Sequence, residues 1–159
     1  MATITSLLKA ATGNSQRGRN PYMVENTIDI VATTVDPSSG DVVQAITIPA
    51  GTKIMAAGVE VVESATMNTG TDATVTLGAA DADEYVTAFD IDGAADGAYA
   101  PSATVAADVV LASADTLDLT FAGTGASFTA GKLRVYAVMM DVSSQGDTSA
   151  DEVDRDTLA

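Results

Sequence analysis

The residues whose types and spacing come nearest to a chemical site are acidic. Asp81, Asp83 and Glu84 are followed by Asp90-Ile91-Asp92-Gly93-Ala94-Ala95-Asp96-Gly97, and carboxylates alternating with glycine offer hard oxygen ligands on a bendable backbone, as calcium loops do. Asp90, Asp92 and Asp96 are the candidate ligands. The spacing departs from an EF-hand, because no acid stands twelfth from Asp90 and no helical pattern flanks the loop. A hydrated acidic loop capping the fold is the competing reading.

Paired carboxylates also serve glycosidases, where an apolar or aromatic wall keeps one of them protonated. Three Phe, four Tyr and no Trp are too few to line a sugar cleft. The chain has no His and no Cys, so a Ser-His-Asp triad cannot be assembled, and the commonest general base and soft nucleophile are missing. Gly123-Thr124-Gly125 runs on into Ala126-Ser127-Phe128 without a third glycine, which suits a turn between strands and not a phosphate-binding loop. Neither a catalytic site nor a cofactor is expected. The chain reads as a structural or binding part.

Charge narrows the partners. Seven Lys plus Arg against 22 Asp plus Glu give a formal charge of −15, which repels phosphate backbones and anionic bilayers, so neither nucleic acid nor membrane is an expected partner. No apolar run approaches the roughly 18 residues of a membrane span. The N-terminal stretch MATITSLLKAATG has a short apolar patch interrupted by Lys9 with no positive region before it, a poor secretory signal.

From Tyr22 onward, short runs rich in β-branched residues alternate with turn chemistry, the pattern of an all-β protein. The expected strands are Met23 to Thr34, Val42 to Ile48, Lys53 to Glu63, Ala73 to Leu77, Glu84 to Ile91, Ala103 to Leu111, Thr116 to Phe121 and Lys132 to Val142. The turns Asp36-Pro37-Ser38-Ser39-Gly40 and Pro49-Ala50-Gly51 carry the Pro and Gly of tight reversals. In Thr116 to Phe121 the alternation is strict, with Leu117, Leu119 and Phe121 facing one way. In the last strand Leu133, Val135, Ala137 and Met139 share one face, yet Tyr136, Val138 and Met140 make the other face apolar too. That strand is expected to be central or covered by a neighbouring subunit. The fold class is an all-β, about eight-stranded antiparallel β-sandwich, jelly-roll-like, with an extended N-terminal arm and an acidic C-terminal tail.

Three regions follow: an arm over 1–24, a sandwich over 25–142 and a flexible acidic tail over 143–159. The arm carries Lys9, Arg17 and Arg19 and no acid, so it reads either as a disordered leader or as a segment that docks on an acidic neighbour. From Asp141 on, the chain holds six acidic side chains and a single cation, Arg155.

Ile48-Pro49-Ala50-Gly51-Thr52-Lys53-Ile54, leading into Gly58-Val59-Glu60-Val61-Val62, resembles a segment common in small virion structural proteins of tailed bacteriophages, many of them marine. So does Asp115-Thr116-Leu117-Asp118-Leu119-Thr120 followed, after a Gly-rich turn, by Thr129-Ala130-Gly131-Lys132-Leu133-Arg134-Val135. The resemblance spans about residues 46 to 142. It implies a capsid decoration (cement) protein, made in the host cytoplasm, that sits on the outer surface of the head. Its partners would be the major capsid protein and two further copies of itself, as a homotrimer. Lys9, Arg17, Arg19 and Tyr22 would then form the capsid-binding arm, and Tyr136, Val138 and Met140 would pack between subunits. The alternatives are a head–tail or tail-fibre component, or a secreted glycan-binding module using Tyr85 or Tyr99.

Overall fold

Strand-period alternation sorts the apolar residues onto two inner faces that need each other to stay dry. The computed structural model describes residues 20–31, 35, 37–68, 70, 72–100, 110–124 and 128–142. They form β1 (Tyr22–Asp29), β2 (Val42–Ile48), β3 (Thr52–Met67), β4 (Asp72–Gly78), β5 (Val86–Asp90), β6 (Asp115–Thr124) and β7 (Phe128–Asp141). One sheet has the order β1-β7-β3 and the other β2-β6-β4-β5, and every pairing is antiparallel. This is the expected antiparallel sandwich. Of the expected strands, Ala103 to Leu111 lies outside the described residues except at its end, where Val110 bridges Lys53. The 1–24 arm before Asn20 and the 143–159 tail lie outside them too.

The core is the alternation made solid. Leu117, Leu119 and Phe121 of β6 are buried against Leu133, Val135, Ala137 and Met139 of β7, with Val59 and Val61 of β3 and Val75 and Leu77 of β4 completing the layer. Each Val, Leu, Phe or Met side chain among them contributes about 1.5–3 kcal/mol when fully buried. The rings of Phe121 and Phe128, both buried, meet edge to face with centroids 6.2 Å apart. β7 is the central strand of its sheet, as its two apolar faces led us to expect.

Turn chemistry sets the strand limits. β1 ends earlier than expected because the Asp29 carboxylate accepts from the Val31 amide at 3.0 Å, an Asx-type turn that stops the strand. Ile30 nevertheless stays fully buried, its amide donating to the Gly131 carbonyl. At the Pro49-Ala50-Gly51 reversal Gly51 takes φ 76°, a left-handed conformation that disfavours any side chain. The chain crosses there from one sheet to the other. β3 runs four residues past its expected end, with bulges that bend it across the sheet.

The sandwich edges are managed in two ways. Beside β3, the backbone of 97–100 hydrogen bonds to Val59 and Val61 and Leu111 pairs with Thr52, so the outer edge of β3 is covered at its start and in its middle. On the opposite side the edge strands β1 and β2 are stitched across the sheets by Asn26, whose amide donates to the Ala45 carbonyl at 2.9 Å. Ala45 sits at the β2 bulge, where the ladder leaves a carbonyl available.

Candidate functional site

The acidic loops come first, since they held the candidate ligands. The Asp90 carboxylate accepts from the amides of Asp92 and Gly93 at 3.1 and 3.2 Å. Asp96 instead reaches across to β3, where one of its oxygens accepts from the Ser64 amide at 2.7 Å and the Ser64 hydroxyl at 2.8 Å. These bonds hold the Asp96 carboxyl below the usual carboxylate range. Glu84 accepts from the amides of Ala79 and Ala80. The carboxylates thus tie down their own loops, and among the described residues no three or more His, Cys, Asp or Glu converge as a metal site would require. Sequence spacing placed Asp90, Asp92 and Asp96 near one another, but the long-range Asp96–Ser64 contact has no signal in spacing.

The two tyrosines considered for glycan contact part company. Tyr85 is buried, and burial, with the neighbouring Glu84 charge, pushes its phenol up to about 12. A phenol ordinarily titrates near 10, so the unfolded chain releases this proton first. Stability is therefore full below pH ~10 and declines as the pH rises toward ~12, by up to roughly 2 kcal/mol. Thermal melts between pH 9 and 12 should show this slope in the native protein and a shallower one in Tyr85→Phe; identical slopes would remove Tyr85 as the cause. Tyr99, by contrast, is 58% exposed and stands edge-on to Tyr136, with ring centroids 6.2 Å apart and planes at 68°.

Tyr99 belongs to the outer face of the β1-β7-β3 sheet, which antiparallel register lays out in rows. The Glu60–Tyr99 bridge places Tyr99 beside β3, where the 97–100 backbone pairs. One row joins Val110, Lys53 and Met140; the next joins Ala56, Val138 and Met23; then come Gly58, Tyr136 and Glu25. The last two rows are charged: Glu60, Arg134 and Thr27, then Glu63, Lys132 and Asp29. Met55 lies at a bulge between inward-facing Ile54 and Ala57, so it and Ala56 project together outward. Tyr136 lies across Gly58, where a Cβ would come within 2.5 Å of the phenol oxygen. The glycine lets the ring lie flat on the sheet.

This face therefore has an apolar half and an ion-paired half. Lys132 Nζ donates to Glu63 at 2.6 Å and Arg134 Nη1 to Glu60 at 3.0 Å, and the Glu63 contact raises the Lys132 pKa. Both pairs are partly solvated, which keeps their contribution to stability small. In the apolar half Met23 is 62% exposed, Val110 45% and Met55 40%, while Tyr136, Val138 and Met140 are half-buried. The residues expected to meet another subunit are thus side by side on β7, at the centre of the face. Met23, Met55 and Val110 join them only through register and edge pairing, which the sequence does not display. Of the residues assigned to the arm, Tyr22 opens β1 and is partly exposed, while Lys9, Arg17 and Arg19 lie outside the described residues.

No protein-family model matches the chain, and no curated protein does. Solved structures do. A chain of the acidic stable capsid of Helicobacter pylori bacteriophage KHP30 is 16% identical at a TM-score of 0.55, covering 77% of this chain and 89% of its own. One in the capsid asymmetric unit of cyanophage Pam1 is 18% identical at 0.57, covering 87% and 96%. One in the capsid of Ralstonia phage GP4 is 12% identical at 0.57, covering 86% and 90%. At such identities the likeness is one of fold: this chain shares its sandwich, nearly end to end, with chains of three phage capsids.

Proposed function

We propose that this protein is a non-enzymatic capsid decoration (cement) protein of a tailed phage, bound to the outer surface of the head and stabilising contacts between capsomers. The observation that carries this reading is the two-sided coverage of the fold match. Because most of each partner chain is covered as well, the matched capsid chains are themselves small, close to this one in length. A small sandwich suits an accessory layer repeated over a shell.

The segregated charge supplies the means of attachment. Lys9, Arg17 and Arg19, with Tyr22 at the base, form a basic arm on an otherwise acidic chain and pair with carboxylates of the major capsid protein. Tyr136, Val138 and Met140 lie between subunits of a homotrimer. Small contacts repeated around a shell add up, since each buried apolar Å² contributes on the order of 25 cal/mol before ordering costs.

Mixing the purified protein with undecorated heads and imaging them by cryo-electron microscopy tests the reading. Ordered density at three-fold or quasi-three-fold positions is the expected result. Bare heads, or a dozen or fewer copies per particle confined to one vertex or the tail, would replace decoration with a head–tail or tail role.

A further inference from the structure

We infer that Asp92-Gly93 is a site of spontaneous covalent modification, Asp92 converting through a cyclic imide to isoaspartate, whereas Asp96-Gly97 in the same loop is held against that reaction by its contacts with β3. The inference goes beyond the capsid role and does not depend on it, since the reaction is read on the purified chain.

The chemistry needs an aspartate followed by a residue that does not shield its own amide. Glycine has no Cβ and turns freely, so its nitrogen can reach back to the preceding side chain. The chain has two Asp-Gly dipeptides and no Asn-Gly, and both dipeptides fall in the loop that follows β5. In the reaction the Gly93 nitrogen attacks Asp92 Cγ, a C–N bond forms, and one carboxyl oxygen leaves as water with the amide proton and the carboxyl proton. Water then reopens the five-membered ring. Entry at the side-chain carbonyl restores aspartate, whereas entry at the main-chain carbonyl leaves the chain running through Cβ and Cγ, one methylene longer. Water is the sole co-reactant, and nothing is oxidised or reduced.

The fold then separates two dipeptides that the sequence leaves alike. At Asp96-Gly97 both reacting groups are occupied. The Asp96 carboxylate accepts from the Ser64 amide and hydroxyl at 2.7 and 2.8 Å, and the same bonds favour its ionised form, the poorer electrophile. The Gly97 amide donates to the Val61 carbonyl at 2.7 Å, and the Val61 amide donates in turn to the Ala98 carbonyl at 2.8 Å. Attack there requires the loop to part from β3. At Asp92-Gly93 the Asp92 carboxylate has no partner among the described residues, and the Gly93 amide is held only by the exposed Asp90 carboxylate at 3.2 Å. A Cβ on Gly93 would meet nothing nearer than that carboxylate, at 3.5 Å, so the peptide lies in the open. A single long bond from a solvated side chain opens far more readily than a paired strand edge.

Ageing the full chain for weeks at pH 7.4 and 37 °C, both native and in 6 M guanidinium chloride, tests this. Chymotryptic cleavage after Phe89 and Tyr99 releases residues 90–99, which hold both dipeptides, and fragmentation of that peptide assigns isoaspartate to position 92 or 96. In the native protein it should accumulate at 92 at least tenfold faster than at 96. In denaturant, where β3 no longer protects Asp96, the two rates should fall within about twofold of each other. Gly93→Ala, whose Cβ the loop admits, should lower the native rate at 92 at least fivefold, with a melting curve showing that the variant is folded. Comparable native rates at 92 and 96 would overturn the inference. So would an unconverted Asp92 in native protein while the denatured chain converts, a tenfold preference for 92 that persists in denaturant, or an unchanged rate in Gly93→Ala.

Discussion

Gly131→Ala is expected to cost about 3 kcal/mol or more and to lower the melting temperature by roughly 10 °C. Gly131 holds φ at 143° inside β7, a region that side chains rarely adopt, and the strain of forcing one there is about 1–3 kcal/mol. Sterics add to it. A Cβ would lie 2.5 Å from Ile30 Cδ1, 2.9 Å from Ile30 Cγ1 and 3.1 Å from Ala65 Cα. Ile30 is fully buried and cannot swing out, and the β3 backbone at Ala65 cannot yield without shifting its ladder, so overpacking contributes another ~1–3 kcal/mol. Gly40→Ala is the matched comparison. Gly40 has φ 91° with nothing within 4 Å of its Cβ position, so strain acts there alone, at about 1 kcal/mol. Chemical denaturation of both variants separates the two causes; a Gly131→Ala loss no larger than that of Gly40→Ala would eliminate the Ile30 contact as a source.

On the decoration reading proposed above, reversing the arm's charge, by Arg17→Glu with Arg19→Glu, is expected to weaken binding to undecorated heads at least a hundredfold while leaving the melting of the sandwich unchanged. Lys9, Arg17 and Arg19 give residues 1–20 a charge of +3 with no acid, so the remainder carries −18 against the overall −15. On an acidic shell the remainder is repelled and the arm is the part drawn in. The native protein's binding should weaken as salt rises and the variant's should not. Undiminished binding by the variant, or by a protein lacking residues 1–20, would move the anchor to the sandwich itself.

How much of this was legible in the sequence depended on whether the deciding contact was local. Val42–Ile48 could be read to its ends because a Gly turn precedes it and Pro49 closes it. The buried face of β6 was legible in the strict alternation of Leu117, Leu119 and Phe121. The apolar outer face of β7 was legible as well, as Tyr136, Val138 and Met140. The remainder turned on pairing between distant strands. Residues 63–67 of β3 lose the two-residue alternation because bulges shift their register, so the strand ran longer than its pattern. Tyr99 stood out only as an aromatic ring in a polar loop; its place over the sheet comes from the 97–100 backbone pairing with β3. Asp96 looked like a ligand because its partner, Ser64, is 32 residues away.

The position of β7 has a consequence for how the molecule is made. Its two neighbours, β1 and β3, are complete by Met67, whereas β7 begins only at Phe128. Neither can pair within its sheet until the last described strand has left the ribosome. The second sheet also needs β6, its interior strand, before β2 and β4 are joined. Assembly of that sheet therefore waits for β7, and the long loops to be closed make it intrinsically slow. A chain cut short before residue 128 leaves β1 and β3 as unpaired strands with their buried residues exposed, the kind of species that chaperones hold and proteases remove. Only a chain that includes β7 can complete either face of the β1-β7-β3 sheet.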